Sequence, residues 1–519
     1  MSASWEPLGR WCVILLYFAV LLVLSGYGAH RWYLIRLYLR HRRREPRPPG
    51  RFETPPLLTV QLPLYNELYV AERLIDAVCA LDYPRDRLEI QVLDDSTDET
   101  REHVARCVAR RRAEGFDIVH LHRTDRLGFK AGALAAGLAA ARGELVAIFD
   151  ADFVPAPDFA RRLVDHFVDP SVGMVQARWG HLNRGYSALT RVQSILLDGH
   201  FVVEHTARNR SGRFFNFNGT AGIWRRQCIE DAGGWQHDTL TEDLDISYRA
   251  QLRGWRFVFL PEHVAPAELP VEMSAFKTQQ HRWAKGSIQT ARKLLPGILR
   301  SDLPLGVKLE SVFHLTANLG YVLMVALALL VVPAVFLRQD IAPWMIAVFD
   351  LPLFTLSTLS VAAFYVVAQR GELASPREFL RWVPFLMAVG IGLSINNCRA
   401  VLEALSGRRS EFRRTPKYNL RTGLGLGSRR YRGRITVDTW IELALAVWFA
   451  GATAAAIRAG LWAAVPFLLL FEVGYAFTSI CTIVQSLQAA GGRPSFGDPG
   501  APGNGVSPGA GADGNRARA

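Results

Sequence analysis

The sequence predicts an α/β domain with a mostly parallel sheet, inserted in a helical transmembrane bundle. Three observations carry this. From Leu57 to Gly143 short apolar runs alternate with helical patterns, the order that builds parallel sheets through right-handed crossovers. Trp11–Ala29 has no charged residue over 19 positions, about the length that crosses a bilayer, and long apolar stretches resume near Ser311. Half of the 519 residues are apolar, yet the mean hydropathy is only +0.10, so a water-facing part must stand beside the greasy one.

Taken in order, Trp11–Ala29 lacks the basic leader and small-residue cleavage site of a signal peptide and reads as a membrane helix. Arg31, Arg36, Arg40, Arg42, Arg43, Arg44, Arg47 and Arg51 follow, against Glu45. Positive-inside bias therefore places residues 31 onward in the cytoplasm. The net charge of +13 gathers beside apolar spans, which fits anionic headgroups and not nucleic acid. The six cysteines are scattered without a C-x-x-C pair. They suggest neither a zinc site nor a disulfide framework, and fit a reduced cytosol.

Leu57–Leu62 reads as a strand, Glu67–Leu81 as a helix stopped near Pro84, and Leu88–Leu93 as a strand. Thr97–Ala113 is an amphipathic helix closed by Gly115, Asp117–Leu121 a strand, and Phe129–Ala141 an Ala-rich helix closed by Gly143. Leu145–Phe149 is a β-branched strand ending in Asp150 and Asp152. Side chains two apart on a strand point the same way, so the pair can share a cation where open α/β sheets bind ligands. Residues 154–300 are more mixed.

Ser311–Leu337 and Ile341–Ala368 are each long enough to span, with a tight turn at Arg338–Asp340. Val383–Asn397 is shorter; were it a span, the arginine-rich loop after it would lie outside, against positive-inside bias. It is expected to be interfacial or re-entrant. Trp440–Ile457 and Leu461–Leu487 form a last hairpin, for five spans in all, and the Gly/Pro/Ser/Ala tail reads as disordered. The expected division is a membrane helix over 1–30, a basic juxtamembrane segment and linker over 31–56, and a cytosolic α/β domain over 57–300. A membrane hairpin with the interfacial helix follows over 301–405. A basic cytoplasmic loop covers 406–436, a second hairpin 437–488 and the tail 489–519.

Polar clusters recur where strands end. Tyr65, Asn66 and Glu67 follow the first strand, and Asp94 and Asp95 the second; helix capping by Asp94, Ser96 or Thr97 is the plain alternative. Lys130 opens a helix, where a cation opposes the macrodipole and a bound anion would relieve the conflict. Together these edges suit a nucleoside diphosphate, with a hard divalent cation bridging Asp152 and the phosphates. Thr241-Glu242-Asp243 starts another helix. Thr239 and Glu242 have capping-box spacing, and Asp243 is the candidate general base. Gln279 and Trp283 share one helix face with Arg282 beside it, offering a stacking surface and donors for hydroxyls and phosphate.

The ordered set Tyr65-Asn66-Glu67, Asp94-Asp95, Lys130-Ala131-Gly132, Asp150-Ala-Asp152, Phe217-Asn218-Gly219-Thr220, Thr241-Glu242-Asp243 and Gln279-Gln280-His281-Arg282-Trp283 resembles the inverting family 2 glycosyltransferases. The group in question is that of the cellulose, mannan and hyaluronan synthases, and the closest likeness is to the cellulose synthase-like mannan and glucomannan synthases. The resemblance implies a GT-A type nucleotide-sugar-binding domain. It implies nucleotide contacts from Tyr65, Asn66, Glu67, Asp94 and Asp95, with Lys130 beside them and Asp150 on the donor. Asp152, with Asp150, would hold Mg²⁺ or Mn²⁺. Asp243 would deprotonate the acceptor, with Glu242, Gln279, Gln280, Arg282 and Trp283 on the acceptor and diphosphate. Phe412, Thr415 and Lys417 resemble a gating loop, with Arg414 replacing the usual Val.

The implied donor is UDP-glucose or GDP-mannose. The implied enzyme is a multi-pass protein of the plasma (inner) membrane with its catalytic domain in the cytosol, elongating a β-linked polysaccharide. A single sugar transferred to a membrane lipid is the nearest alternative, and a nucleotide-sensing transporter or channel a distant one. Protein partners stay open.

Overall fold

The computed structural model describes residues 5–339, 343–370, 380–408, 415, 417–419 and 435–491. Helix α1 (Trp5–His41) leads into an alternating series: β1 (Leu58–Leu64), α2 (Ala71–Cys79), β2 (Leu88–Asp94), α3 (Thr100–Ala113), β3 (Ile118–His122), α4 (Phe129–Ala140) and β4 (Leu145–Ile148). Each expected strand and helix here is found, with ends moved by a few residues. The largest move is at α2, which starts four residues later than expected because Tyr65–Glu67 is spent on a turn at the end of β1, with Asn66 at φ 55°.

The sheet has seven strands in the order β3-β2-β1-β4-β6-β5-β7, completed by β5 (Val172–His181), β6 (Gly222–Arg225) and β7 (Arg256–Ala267). Pairs β1–β2, β1–β4, β2–β3 and β5–β7 are parallel, while β6 runs antiparallel to both β4 and β5. The chain steps outward from β1 to β3 and then returns to the other side of β1 with β4. That reversal opens a crevice at the carboxyl ends of β1 and β4.

Both faces of the sheet are covered. Leu58, Val60 and Leu62 of β1 join one core and Val146 and Ile148 of β4 another. The polar residues of β1 are buried too: Thr59 donates to Glu89 at 2.5 Å and Gln61 Nε2 to Gln91 Oε1 at 3.0 Å, a ladder of side-chain bonds across β1 and β2. Helix α4 is rich in small residues because it lies close on that ladder. A Cβ on Gly137 would stand 2.6 Å from Gln61 Nε2.

Further on come α5 (Phe159–Val164), α6 (Ala188–Asp198), a π-helical turn (Gly199–His205), α7 (Thr206–Arg210), α8 (Arg226–Asp231), α9 (Glu242–Leu252) and α10 (Met273–Arg300). Among the described residues, five helices are long and apolar enough to cross a membrane: Gly9–His41, Leu319–Leu337, Val348–Ala368, Val437–Arg458 and Val465–Gln488. Val383–Gly392 and Ser394–Leu405 form a pair bent by 44°, compatible with a broken span or a re-entrant loop. The apolar stretch from Ser311 is not one helix. It breaks between Thr316 and Leu319, where Glu310 and His314 turn to partners in the α/β domain while the following residues are uniformly apolar. Most of the basic 406–436 loop and of the tail, Phe412 included, lies outside the described residues.

The helices pack through small residues, as membrane helices do when backbones approach. A Cβ on Gly474 would collide with the Ala388 carbonyl, and one on Gly392 with the Gly474 carbonyl. Gly474→Leu is expected to cost about 1–3 kcal/mol by overpacking, read as a lower unfolding midpoint in detergent. An unchanged midpoint would contradict this close approach.

Candidate active site

The crevice encloses about 170 Å³ and takes its walls from the ends of β1 and β4, the starts of α4 and α9, and one face of α10. On the β1 side, the left-handed Asn66 ties two strand ends together. Its N–H donates to Ser96 Oγ at 2.8 Å, and its side-chain oxygen accepts the Thr97 N–H at 2.8 Å. Tyr65 turns its ring to the Arg126 guanidinium, 3.4 Å from the centroid, a cation–π contact. Asp95 lines the crevice and is held by Arg123 through both oxygens, at 2.8 and 2.6 Å.

Asp94 is different. Its carboxylate is fully buried under the sheet end, accepting from the Ser96 N–H at 2.8 Å and pairing with His120 at 2.8 Å. Burial pushes its pKa up, but the His120 and Ser96 bonds more than reverse this and hold it below the usual range. Asp94 lies outside the crevice lining, so it braces the site from behind. The expected N-caps at Asp94, Ser96 or Thr97 are not formed: α3 starts at Thr100, and its N-cap Glu99 makes no side-chain bond.

Lys130 sits one residue inside α4, after Gly128 and Phe129 at φ 72° and 51°. The anion that its position demands is supplied by the protein itself: Nζ donates to Asp150 Oδ1 at 2.5 Å and to the Gly219 carbonyl at 2.8 Å. Burial pulls the ammonium's pKa down, and Asp150, Glu242 and Asp243 more than offset it, so the net direction is up. Two residues after Asp150, Asp152 Oδ2 accepts from Lys417 Nζ at 2.7 Å. Each carboxylate of the pair thus carries its own ammonium.

Across the crevice, α9 presents Asp243, whose Oδ1 accepts the Leu244 N–H at 2.8 Å. Burial, then the neighbouring Glu242 charge, push its pKa up to about 7 against the opposing pull of Lys130, the Leu244 bond and Arg282. Gly219, at φ +81°, lets the backbone approach both groups. A Cβ there would stand 3.0 Å from Asp243 Oδ2 and 3.3 Å from Lys130 Nζ. The Thr239–Glu242 capping box is not formed, since Thr241 is the N-cap and makes no side-chain cap bond. Asp245 is engaged by Arg249 at 2.7 Å and Lys293 at 2.9 Å.

Helix α10 brings Gln279, Arg282 and Trp283 to the crevice. Burial draws the Arg282 pKa down, opposed by Glu242, Asp150, Asp243 and Asp152, which names the carboxylates it faces. Gln280 lies outside the lining, and His281 turns to Glu403 at 3.3 Å. Thr415 and Lys417 reach the crevice from more than a hundred residues downstream. Glu268 seats Lys417 and its neighbour Tyr418: its Oε1 accepts the Tyr418 N–H at 2.9 Å, its carbonyl accepts from Lys417 at 3.2 Å, and Arg73 pairs with its other oxygen at 3.5 Å.

Arg126, Glu268 and Asn218 also line the crevice and are absent from the sequence-based set of site residues. Asn218 stands within a recognised motif; nothing near Glu268 or Arg126 in sequence marks either. The chemistry within reach is that of cations gathered on carboxylates at one wall and a near-neutral carboxyl at the other. For a divalent ion the donors fit: Asp152 Oδ2 already carries a cationic stand-in, the Lys417 ammonium, and carboxylate oxygen is the ligand that Mg²⁺ and Mn²⁺ favour.

Residues 55–286 match the family described as "Glycosyltransferase like family 2". Over 251 residues the chain is 45% identical to glucomannan 4-beta-mannosyltransferase 2 of Arabidopsis thaliana, covering 47% of each chain. Over 345 residues it is 37% identical to glucomannan 4-beta-mannosyltransferase 7 of the same plant, covering 65% of this chain and 60% of that one. The chain spans about half to three fifths of the length of the curated relatives it matches. A solved mannosyltransferase from Pyrobaculum calidifontis, in complex with GDP-Man and Mn²⁺, is similar at a TM-score of 0.49 and 22% identity, covering 76% of this chain and 100% of that one.

Proposed function

We propose that this chain, whose residues 55–286 match the family 2 glycosyltransferases, is a membrane-embedded inverting hexosyltransferase. The proposed reaction extends a β-linked polysaccharide by moving a mannosyl unit from a nucleotide sugar. The mannosyl choice, with GDP-mannose favoured over UDP-glucose, follows the names of the relatives. The arginine bias after α1 supports a cytosolic catalytic domain.

One observation carries the mechanism. A half-buried carboxyl raised to about 7, Asp243, faces the same crevice as Lys130 and Arg282. In the proposed step an acceptor hydroxyl gives its proton to Asp243 as its oxygen attacks the anomeric carbon. The bond from that carbon to the diphosphate oxygen breaks on the opposite side, which inverts the centre. Lys130 and Arg282 stand where the departing diphosphate gathers charge, and positioned donors of this kind act most strongly where water is excluded. Trp283 offers a flat face for the acceptor sugar, and Asp95 with Tyr65 a site for the nucleoside. A divalent cation held by Asp152, and by Asp150 once Lys130 turns to phosphate, would supply further charge neutralisation.

Purified protein in detergent, with Mg²⁺ or Mn²⁺ and a panel of nucleotide sugars, tests the reading. The expected result is consumption of GDP-mannose and a ladder of mannose-containing products. Consumption of no donor on the panel would overturn it. A pH dependence follows from the same carboxyl. Asp243 accepts a proton only as the carboxylate, so turnover is expected to rise with pH through about 7 and to fall roughly tenfold per unit below it. A rate that stays flat down to about pH 5 would remove Asp243 from the role of base.

A further inference from the structure

Between the crevice and α1 lies a run of buried polar groups that the proposed mechanism does not use. Its centre is the π-helical turn Gly199–His205. In an α-helix, residues five apart point about 140° away from each other; the wider winding of i→i+5 bonding brings them toward a common face. The turn thereby places His200 and His205 side by side, with ring centroids 4.3 Å apart. Both rings close on one target, the side chain of Asn218, which lines the crevice beside Gly219.

The donors and acceptors assign themselves. The Asn218 amide nitrogen only donates, so His200 Nε2, 2.9 Å away, accepts; the His200 proton is then on Nδ1 and donates to Glu204 at 3.0 Å. His205 Nε2 lies 2.7 Å from Asn218 Oδ1 and 3.0 Å from the Asn216 carbonyl, two acceptors, so it carries the proton. Burial and the adjacent His200 and Arg208 hold the His205 pKa well below its usual value, which keeps that ring neutral.

Behind the rings the clamp is anchored. Glu204 accepts from Arg208 at 3.1 Å, Arg208 donates to Glu310 at 2.8 Å, and Glu310 pairs with His30 of α1 at 2.9 Å. Gly199, where the turn begins, has no room for a side chain, since a Cβ would stand 2.5 Å from the Tyr365 ring. The turn is therefore fixed to the membrane helices on one side and grips the crevice wall on the other.

We propose that His200 and His205 are positioning residues that hold Asn218, and through it the Gly219 carbonyl, so that Lys130 and Asp243 meet the reactants in register. The inference rests on the transferase reading above, but the clamp itself has a readout independent of turnover. Lys130 is bound to the Gly219 carbonyl, so its reactivity toward acetic anhydride, followed by mass spectrometry, reports whether that carbonyl is held.

The experiment compares full-length protein with His205→Ala, His205→Gln and Asn218→Ala. The Gln amide donates from nearly the place of imidazole Nε2. His205→Ala and Asn218→Ala are expected to lower kcat by about 10–100-fold, the scale of a misplaced reacting group, with KM for the nucleotide sugar changed less than about threefold. Lys130 acetylation should rise several-fold in both, and His205→Gln should restore kcat and protection together. The clamp is refuted if acetylation of Lys130 is unchanged in the Ala variants, or if Gln is as impaired as Ala. Should His205→Ala fail to fold, Asn218→Ala removes the same link from the half-exposed crevice side and decides alone. If wild-type protein consumes no nucleotide sugar, the transferase reading fails while the acetylation comparison still judges the clamp.

Discussion

Asp243→Asn is expected to lower turnover by about 10²–10⁴-fold, the range general-base groups contribute, while leaving nucleotide-sugar binding within a few-fold of wild type. The substitution keeps size and keeps an oxygen to accept the Leu244 N–H, now 2.8 Å from Asp243 Oδ1. It removes the carboxylate, the form that takes a proton. Because Lys130 and Asp150 hold each other at 2.5 Å independently of Asp243, the diphosphate end of the site should survive. Donor binding by calorimetry and single-turnover transfer by radiolabel measure the two halves separately. Loss of binding in step with turnover would mean that Asp243 positions the donor. Retained turnover would mean that the base lies elsewhere, with Glu242 the nearest carboxylate. The pH limb near 7 should vanish in the variant, a signature that a folding defect would not produce.

How far the site could be read from the chain depended on sequence distance. Asp150 and Asp152 were legible because a β-branched run ends just before them; β4 itself stops at Ile148, and the turn that follows carries Asp152 to the crevice. Lys130 was legible as a conflict, a cation at a helix start, and in this structure Asp150 supplies the opposing charge. Of the α9 and α10 motifs, Thr241, Glu242, Asp243, Gln279, Arg282 and Trp283 line the crevice, whereas Gln280 and His281 do not. Capping was misread where burial overrode local propensity. Asp94 is drawn under the sheet by His120, 26 residues away, and so caps nothing. Glu268 and Arg126 left no mark because their roles come from partners such as Arg73 and Tyr65, which only the folded chain brings near. The π turn was invisible for a related reason. Its period differs from that of a helix for only a few residues, and the histidines it aligns make sense only with Asn218 between them.

Asp152→Ala is the second large effect. It is expected to raise the half-saturating concentration of Mg²⁺ or Mn²⁺ for turnover by about 100-fold or more, since even a residue behind a metal ligand costs 10–100-fold when removed. The argument runs through Lys417. Its ammonium stands 2.7 Å from Asp152 Oδ2, so an ion arriving at this oxygen must displace it. Lys417→Ala should then move the same titration the other way, to half-saturation at several-fold lower metal, because the carboxylate is freed. The pair separates a ligand from a bystander. Were Asp152 only an anchor for the segment around Lys417, both variants would loosen that segment alike and shift the titration in the same direction. Opposite shifts require that Asp152 bind the ion and that Lys417 compete for it. If metal dependence is unchanged in Asp152→Ala, the cation is held by other groups, and the strand-end pair serves Lys130 and the donor sugar alone.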